Sequence, residues 1–366
     1  MQDDATVSQA DHSLEISGSR WCNIAELSQA GSRPIMAGAI FSFLDIRQPN
    51  FTPSQDQALS IASMSIKKVI VVGANGNLGS PIVDALVASG LFDVSVLQRA
   101  SSSSTPNYPS SQVSVVQVDD GFTHDSLVAA LKGQDSLIIA FPLKDVDAHL
   151  RLVDAAVAAG VKHVMPADWG SVDAESKAAQ ELVKIYRGKV AVKRRVEKLA
   201  SENPGFTWTA IVCGHFFEWS LKEHLYRADI KNRTIDILDG GKHRASATTL
   251  LRIAEAVVRI LKLHGSDSVR NKTLFIQSFC ISQNQLVEAL EKATGTKWTV
   301  NNYDSQEFID ARREKADAGD YMANEDLVYA IGTLDADWTQ REEFSMELLG
   351  FEDEDYEAVV ASVVNS

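Results

Sequence analysis

From residue 67 onward the chain alternates two apolar patterns. Short, continuous, β-branched runs at KKVIVVG (67–73), FDVSVLQR (92–99), VSVVQVD (113–119), DSLIIAFP (135–142), KHVMPADWG (162–170) and FTWTAIV (206–212) have the length and character of buried strands. Between them, SPIVDALVAS (80–89), DSLVAALKG (125–133) and VDAHLRLVDAAVAAG (146–160) repeat apolar residues at helical spacing, and 175–202 is a long, basic, helix-rich stretch. Strands that alternate with helices pair in parallel through right-handed crossovers, so an α/β fold with a doubly wound parallel sheet is expected over 66–212.

After Cys213 the rhythm loosens. RTIDILDGG (233–241) reads as a strand ending in a turn and TTLLRIAEAVVRILKL (248–263) as an amphipathic helix. KTLFIQ (272–277) reads as a strand, and SQNQLVEALEKATG (282–295) as a helix with a serine cap and a glycine stop. Residues 213–366 are expected to form a smaller α/β substrate-binding region over the carboxyl edge of the sheet, where open α/β folds bind ligands. Some of its strands are expected to return to the first sheet, and its last 30 residues to be helical and acidic.

The first 65 residues lack sustained periodicity and read as a mostly disordered extension, with IMAGAIFSFL (35–44) as its one apolar segment. They have no secretory-signal pattern, their acidic residues argue against a transit peptide, and Met64 stands as an alternative start just before the first strand.

Composition narrows the function. An apolar fraction of 45% allows a sizeable core, and no apolar run approaches the ~20 residues of a membrane span, so a soluble protein is expected. The net charge of -14 belongs to the C-terminus: residues 301–366 hold 18 acidic and 4 basic side chains, which leaves the first 300 residues neutral. Such acidity disfavours nucleic acid; it fits a solvated surface or a docking surface for a protein partner. Cys22, Cys213 and Cys280 give neither a disulfide framework nor a metal pattern, which fits a reducing, cytoplasmic setting. The sequons at Asn50, Asn232 and Asn271 then read as chance matches. No cluster has metal-ligand spacing.

The chemistry starts at the first strand. Gly73, Gly76 and Gly79 form GxxGxxG between a strand and a helix, where a tight turn, close approach of a pyrophosphate and close helix packing each exclude a Cβ. A dinucleotide is the expected ligand of this Rossmann-type unit. Asn75, Asn77 and Leu78 complete the loop, and Phe141 and Pro166, at the ends of later strands, are further candidate contacts. At the end of the second strand, where an NAD site carries an acid, the sequence reads LQRASSSS. Arg99 flanked by serines suits a 2′-phosphate, so NADP(H) is expected; a surface arginine beside a serine loop is the plain alternative. Asp120 is either an adenine-side contact or a loop cap.

GANGNLG (73–79), MPADWG (165–170), KVAVKRRVE (189–197) and FTWTAIVCGHFFEW (206–219), in this order, resemble the NmrA-like and isoflavone-reductase-like branch of the atypical short-chain dehydrogenases, in its fungal form. The resemblance runs from about residue 65 to about residue 303. Reducing members carry Pro-Ser-Glu-Phe-Gly at a strand end; here Pro166, Asp168, Trp169 and Gly170 match, and Ala167 replaces the serine. Their pattern Lys-x-x-x-Arg-Arg-x-x-Glu, anchored on Glu197, places Lys189 at the catalytic lysine and Lys193 and Arg194 at the basic pair. Composition alone would instead put Lys189 on a solvated basic helix with Lys184, Arg187, Lys193 and Lys198. Tyr186 lies three residues before Lys189, not the four of ordinary short-chain dehydrogenases, and is not assigned as catalytic.

Hydride transfer needs a dry pocket. Trp169, His215, Phe216, Phe217 and Trp219 are its candidate walls, or else fillers of the interior, and they suit a small apolar, aromatic substrate. His215 is a candidate second proton donor or a structural histidine. The resemblance thus implies an NADPH-dependent reductase. The alternative is a non-catalytic dinucleotide sensor acting through a protein partner, for which the acidic C-terminus offers a surface. Oligomeric state stays open.

Overall fold

Seven parallel strands form the principal sheet of the computed structural model, which describes residues 66–102, 108, 109 and 111–366. The 1–65 segment, with its expected disorder and its alternative start at Met64, lies outside the described residues, as does Cys22. The sheet strands are β1 (Lys68–Val72), β2 (Asp93–Arg99), β3 (Val113–Val118), β4 (Ser136–Ile139), β5 (His163–Met165), β6 (Thr207–Val212) and, later in the chain, Lys272–Phe275. In space they run Lys272–Phe275, β6, β5, β4, β1, β2, β3, so the order reverses between β1 and β4. That reversal leaves a crevice above the carboxyl ends of β1 and β4, because the chain leaves the two strands toward opposite sides. β1 and β4 are apolar and buried almost throughout, as strands covered on both faces must be.

Two helical layers cover the sheet. Helix α1 (Gly79–Ser89) packs on a later helix, Leu250–Lys262, whereas α2 (His124–Leu131), α3 (Val146–Ala158) and Lys184–Glu202 pack in series. The basic 175–202 stretch is two helices, α4 (Lys177–Leu182) and α5 (Lys184–Glu202), broken at Val183, whose backbone is extended while its side chain enters the core. β5 is shorter than its apolar run, since Pro166 has no N–H to continue the ladder.

The second half adds two small sheets. One pairs β7 (His215–Phe216), β10 (Arg244–Thr248) and β12 (Phe279–Ser282); the other pairs β8 (Ala228–Asp229), β9 (Thr234–Leu238) and β13 (Thr299–Tyr303). β11 is the Lys272–Phe275 strand, which lies parallel to β6 at the edge of the principal sheet. The helices are α6 (Phe217–Lys222), α7 (Leu250–Lys262), α8 (Gln283–Thr294), α9 (Ser305–Asp317), α10 (Tyr321–Leu334), α11 (Met346–Leu349) and α12 (Tyr356–Val364). The last 30 residues are less helical than their pattern suggested. Residues 343–345 bond to the backbone of Phe275 instead, and the guanidinium groups of Arg252 and Arg259 lie 4.3 and 3.9 Å from the ring centre of Phe351. No helix among the described residues is long and apolar enough to cross a membrane.

His163 on β5 is fully enclosed, with Nδ1 2.9 Å from the hydroxyl of Thr207. Burial pushes its imidazole down to about 3, so it stays neutral in the fold while the unfolded chain takes up a proton below pH ~6.5. Stability from this group is complete above that pH and is lost as pH falls toward 3. We expect His163→Phe to remove about one proton, ~1.4 kcal/mol per pH unit, from the slope of unfolding free energy between pH 6 and 4 in urea titrations; an unchanged slope would refute the assignment.

Candidate active site

The loop after β1 is shaped by contacts that leave no room for side chains. Gly73 has φ +84°, and a Cβ there would lie 2.9 Å from the carbonyl of Ala140 beyond β4. A Cβ on Gly79 would lie 2.0 Å from the carbonyl oxygen of Gly73, so α1 starts directly against the turn it leaves. The turn closes through Gly76 N–H to Gly73 O and Ser80 N–H to Gly76 O, both 3.0 Å. Gly76 differs from the other two: its nearest neighbour to a Cβ is 3.2 Å away and it is exposed with Asn75 and Asn77, while the Leu78 side chain enters the core. The first turn of α1 has neither a side-chain cap nor an acidic residue. Its N–H groups and the dipole therefore present positive potential to an anion above the crevice, and a bare backbone at Gly76 lets one approach. This geometry fits a pyrophosphate.

Arg99 ends β2 and is exposed. Asp120, after β3, accepts from the backbone N–H of Ser101 at 3.0 Å and from its hydroxyl at 2.7 Å; these bonds, with a smaller contribution from Arg99, hold its carboxyl below the usual range. Asp120 thus fixes the turn that follows Arg99. Phe141 follows β4, half-buried, with its ring 4.2 Å from that of His149, and Pro166 is buried where β5 ends.

Beyond Pro166 the chain turns sharply. Trp169 adopts φ +43°, a costly conformation for a bulky residue, and its indole N–H donates to the carbonyl of Ile139 on β4 at 2.8 Å. The turn sends the Asp168 carboxylate inward, where its Oδ1 accepts no hydrogen bond from any described residue and lies 3.9 Å from Nζ of Lys189. Lys189 is only 11% exposed, and its ammonium sits 5.1 Å over the ring of Tyr186. Burial lowers the lysine's pKa, an effect the Asp168 charge opposes. Burial likewise raises the aspartate to about 6, against the pull of Lys189. A composition-based reading of Lys189 as solvated is therefore excluded. Tyr186, whose hydroxyl lies 2.6 Å from that of Ser171, is buried beneath the lysine.

The basic pair beside Lys189 is bound to other carboxylates. Lys193 and Arg194 both bind the carboxylate of Glu175, and Arg194 also reaches Glu197, so they anchor the loop that follows Gly170. Gly188, next to Lys189, has no room for a Cβ because Leu143 and Val146 would lie 2.7 and 2.9 Å away. This contact draws α5 onto the loop after β4. Sequence reasoning missed it, although a glycine inside a helix pattern is a signal of close packing.

The aromatic wall divides. Phe216 and Trp219 are half-buried with ring centres 6.3 Å apart, and Phe216 packs on the core of the principal sheet. Phe217 points the other way, fully buried against Phe279 and Tyr226 in a separate core, so its side chain does packing work. His215 is buried with its ring under α10, where a Cβ on Gly332 would lie 2.3 Å from Nε2. Burial pushes it down to about 4, which keeps it neutral at physiological pH and unsuited to donating a proton as imidazolium.

The chain matches the model of the NmrA-like family over residues 65–311. It is 33% identical to oxidoreductase aprR of Aspergillus flavus over 307 residues, 81% of this chain and 98% of the relative. The fold is similar to the crystal structure of an isoflavone reductase, with a TM-score of 0.67 and 19% identity over 82% of this chain and 99% of the other. It is also similar to the binary complex of leucoanthocyanidin reductase and NADPH from Vitis vinifera, with a TM-score of 0.64 and 16% identity over 82% and 100% of the two chains.

The two loop glycines separate experimentally. Gly79→Ala drives a Cβ into backbone and should cost about 2–3 kcal/mol in urea unfolding despite the better helix propensity of alanine, whereas Gly76→Ala should cost less than about 1 kcal/mol. Equal losses would contradict the packing described.

Proposed function

The chain belongs to the NmrA-like family, and on that premise we propose that it is an NADPH-dependent reductase of a small apolar, aromatic metabolite in which Lys189 manages the proton. The observation that carries this reading is the enclosed Lys189 ammonium on the same sheet edge as the glycine loop. β1, β4 and β5 are consecutive neighbours, so about 10 Å separates the loop from the strand end that leads into Asp168 and Trp169. A dinucleotide anchored by its pyrophosphate at α1 spans that distance.

In this reading Gly73, Gly76 and Gly79 with the amino end of α1 hold the pyrophosphate, and Arg99 holds a 2′-phosphate. Asp120 sets the turn beside Arg99, and Phe141 and Pro166 flank the cofactor above β4 and β5. The names of similar proteins support the choice of cofactor and reaction: the Aspergillus relative is an oxidoreductase, and the grape reductase was solved with NADPH. The nicotinamide, when bound, supplies a hydride. Lys189 gives a proton to the substrate oxygen that gains charge as the hydride arrives, and water restores the proton afterwards. Desolvation is what makes this lysine a usable acid, since it brings an ordinarily reluctant donor toward the working pH. Trp169, pinned by its indole N–H, together with Phe216 and Trp219 offers flat apolar surface to an aromatic ring.

Single-turnover oxidation of NADPH against aromatic ketones, enones and benzylic ethers tests the reading. Lys189→Ala should slow oxidation ~100-fold or more while NADPH binding stays within a few-fold. NADPH binding without oxidation by the wild type across the panel would turn the reading to a dinucleotide sensor. Arg99→Ala should weaken NADPH binding by about 10- to 100-fold and NADH binding by less than about twofold in fluorescence titrations; equal losses would remove the phosphate clamp.

A further inference from the structure

Asp168 stands out among the buried polar groups. Its side chain is 8% exposed, its Oδ1 accepts no hydrogen bond from any described residue, and the nearest cation is Lys189, at 3.9 Å. A carboxylate that serves structure closes on its partner, as the half-buried Asp135 does on the more exposed Lys162 at 2.8 Å elsewhere in this fold. The longer gap leaves the lysine's N–H donors uncommitted among the described residues while keeping a negative charge 3.9 Å away. A buried charge without direct bonds is costly, so its retention calls for another role.

We propose that Asp168 is a positioning residue for Lys189, holding the ammonium charged and in place inside a desolvated site while standing too far off to take up its donors, which stay available to the substrate oxygen. The inference rests on the reductase reading for the substrate but not for the pairing itself. Other groups around the pair do not supply this charge. Cys213 and Tyr186 face the lysine, and burial pushes both upward, so they are neutral. Lys193, Asp173 and Glu175 act on Asp168 from the following loop and α5; Lys193 and Arg194 occupy Glu175, and Arg341 binds Asp173 at 2.9 Å. Glu325 on α10 faces Tyr186, and burial raises it toward neutrality. Asp168 is the carboxylate left to stabilise the ammonium. Gly170 preserves the geometry, since a Cβ there would sit 3.0 Å from Asp168 Oδ1 and 3.7 Å from Lys189 Nζ.

The test is a titration of Lys189 in the full chain without cofactor, by NMR of protein carrying ¹³C at the lysine ε-carbon, with the signal assigned by its loss in Lys189→Arg. Removing the carboxylate leaves burial unopposed, so Asp168→Asn should lower the Lys189 midpoint by about one pH unit or more, and Asp168→Glu should restore most of the shift. An unchanged midpoint in Asp168→Asn overturns the proposal. Should that variant not fold, the reciprocal measurement decides: Lys189→Gln should raise the Asp168 carboxyl midpoint above its value of about 6, and a static midpoint is equally fatal. With a substrate in hand, the high-pH limb of the kcat profile should move down with the lysine midpoint in Asp168→Asn. If no substrate oxidises NADPH while the Lys189 midpoint still follows Asp168, the reductase reading fails and the pairing stands.

Discussion

Keeping one ammonium group out of water is the constraint around which the carboxyl edge of this sheet is arranged. Lys189 loses hydration when α5 closes on the sheet, and several unusual local features accompany that closure. Gly188 lets the helix lie against Leu143 and Val146, Gly170 clears the space between lysine and aspartate, and Trp169 accepts a left-handed backbone while its indole is tied to β4. Of the three, Trp169 is the one whose backbone departs from what its residue would adopt alone. Local strain of this kind persists where surrounding structure over-determines it, and it concentrates where chemistry is done.

The second half of the chain seals this arrangement from outside. α10 packs with Val172, Val183 and Tyr186 in one apolar cluster, and Gly332 on the same helix admits the ring of His215 beneath it. The acidity of the C-terminal residues is partly consumed in doing so. Asp326 on α10 binds both Arg227 and Arg312, Asp353 accepts from Gln277, and Glu354 accepts from Thr249. Carboxylates used in this way tie the tail to the body, so the net charge of -14 is a poor guide to what that surface can recruit.

The crevice itself follows from topology. Because β1 and β4 are neighbours and their connections leave toward opposite layers, the topology opens a ligand crevice above their carboxyl ends, beyond the point where the two loops touch. Gly73 meets Ala140 at that point, and Gly79 meets Gly73 behind it, which fixes both walls of the cradle with backbone alone. Backbone walls change little with side-chain rotamer, so the cradle is set by the fold, and side-chain adjustment at this edge is left to the aromatic residues beyond β5 and β6.

What the sequence determined by itself was whatever repeats locally. Six strands with their intervening helices, the glycine turn and the α/β class are written in apolar periods of two kinds and in glycines at fixed intervals, because each depends on neighbours within a few residues. The position of Lys189 was legible only through a resemblance, since its helix carries Lys184, Arg187, Lys193 and Lys198 and looks solvated from composition. Tertiary structure decided the rest. β10, β12 and β13 are too short and too polar in part to announce themselves, and they exist because partners far along the chain supply the hydrogen bonds. Phe216 and Phe217 are adjacent and chemically identical, yet one lies on the core of the principal sheet and the other inside a separate core. Asp168 and Lys189 are 21 positions apart, and burial is what makes them a pair. Solvent exclusion is a property of the folded chain, and no local pattern of residues encodes it.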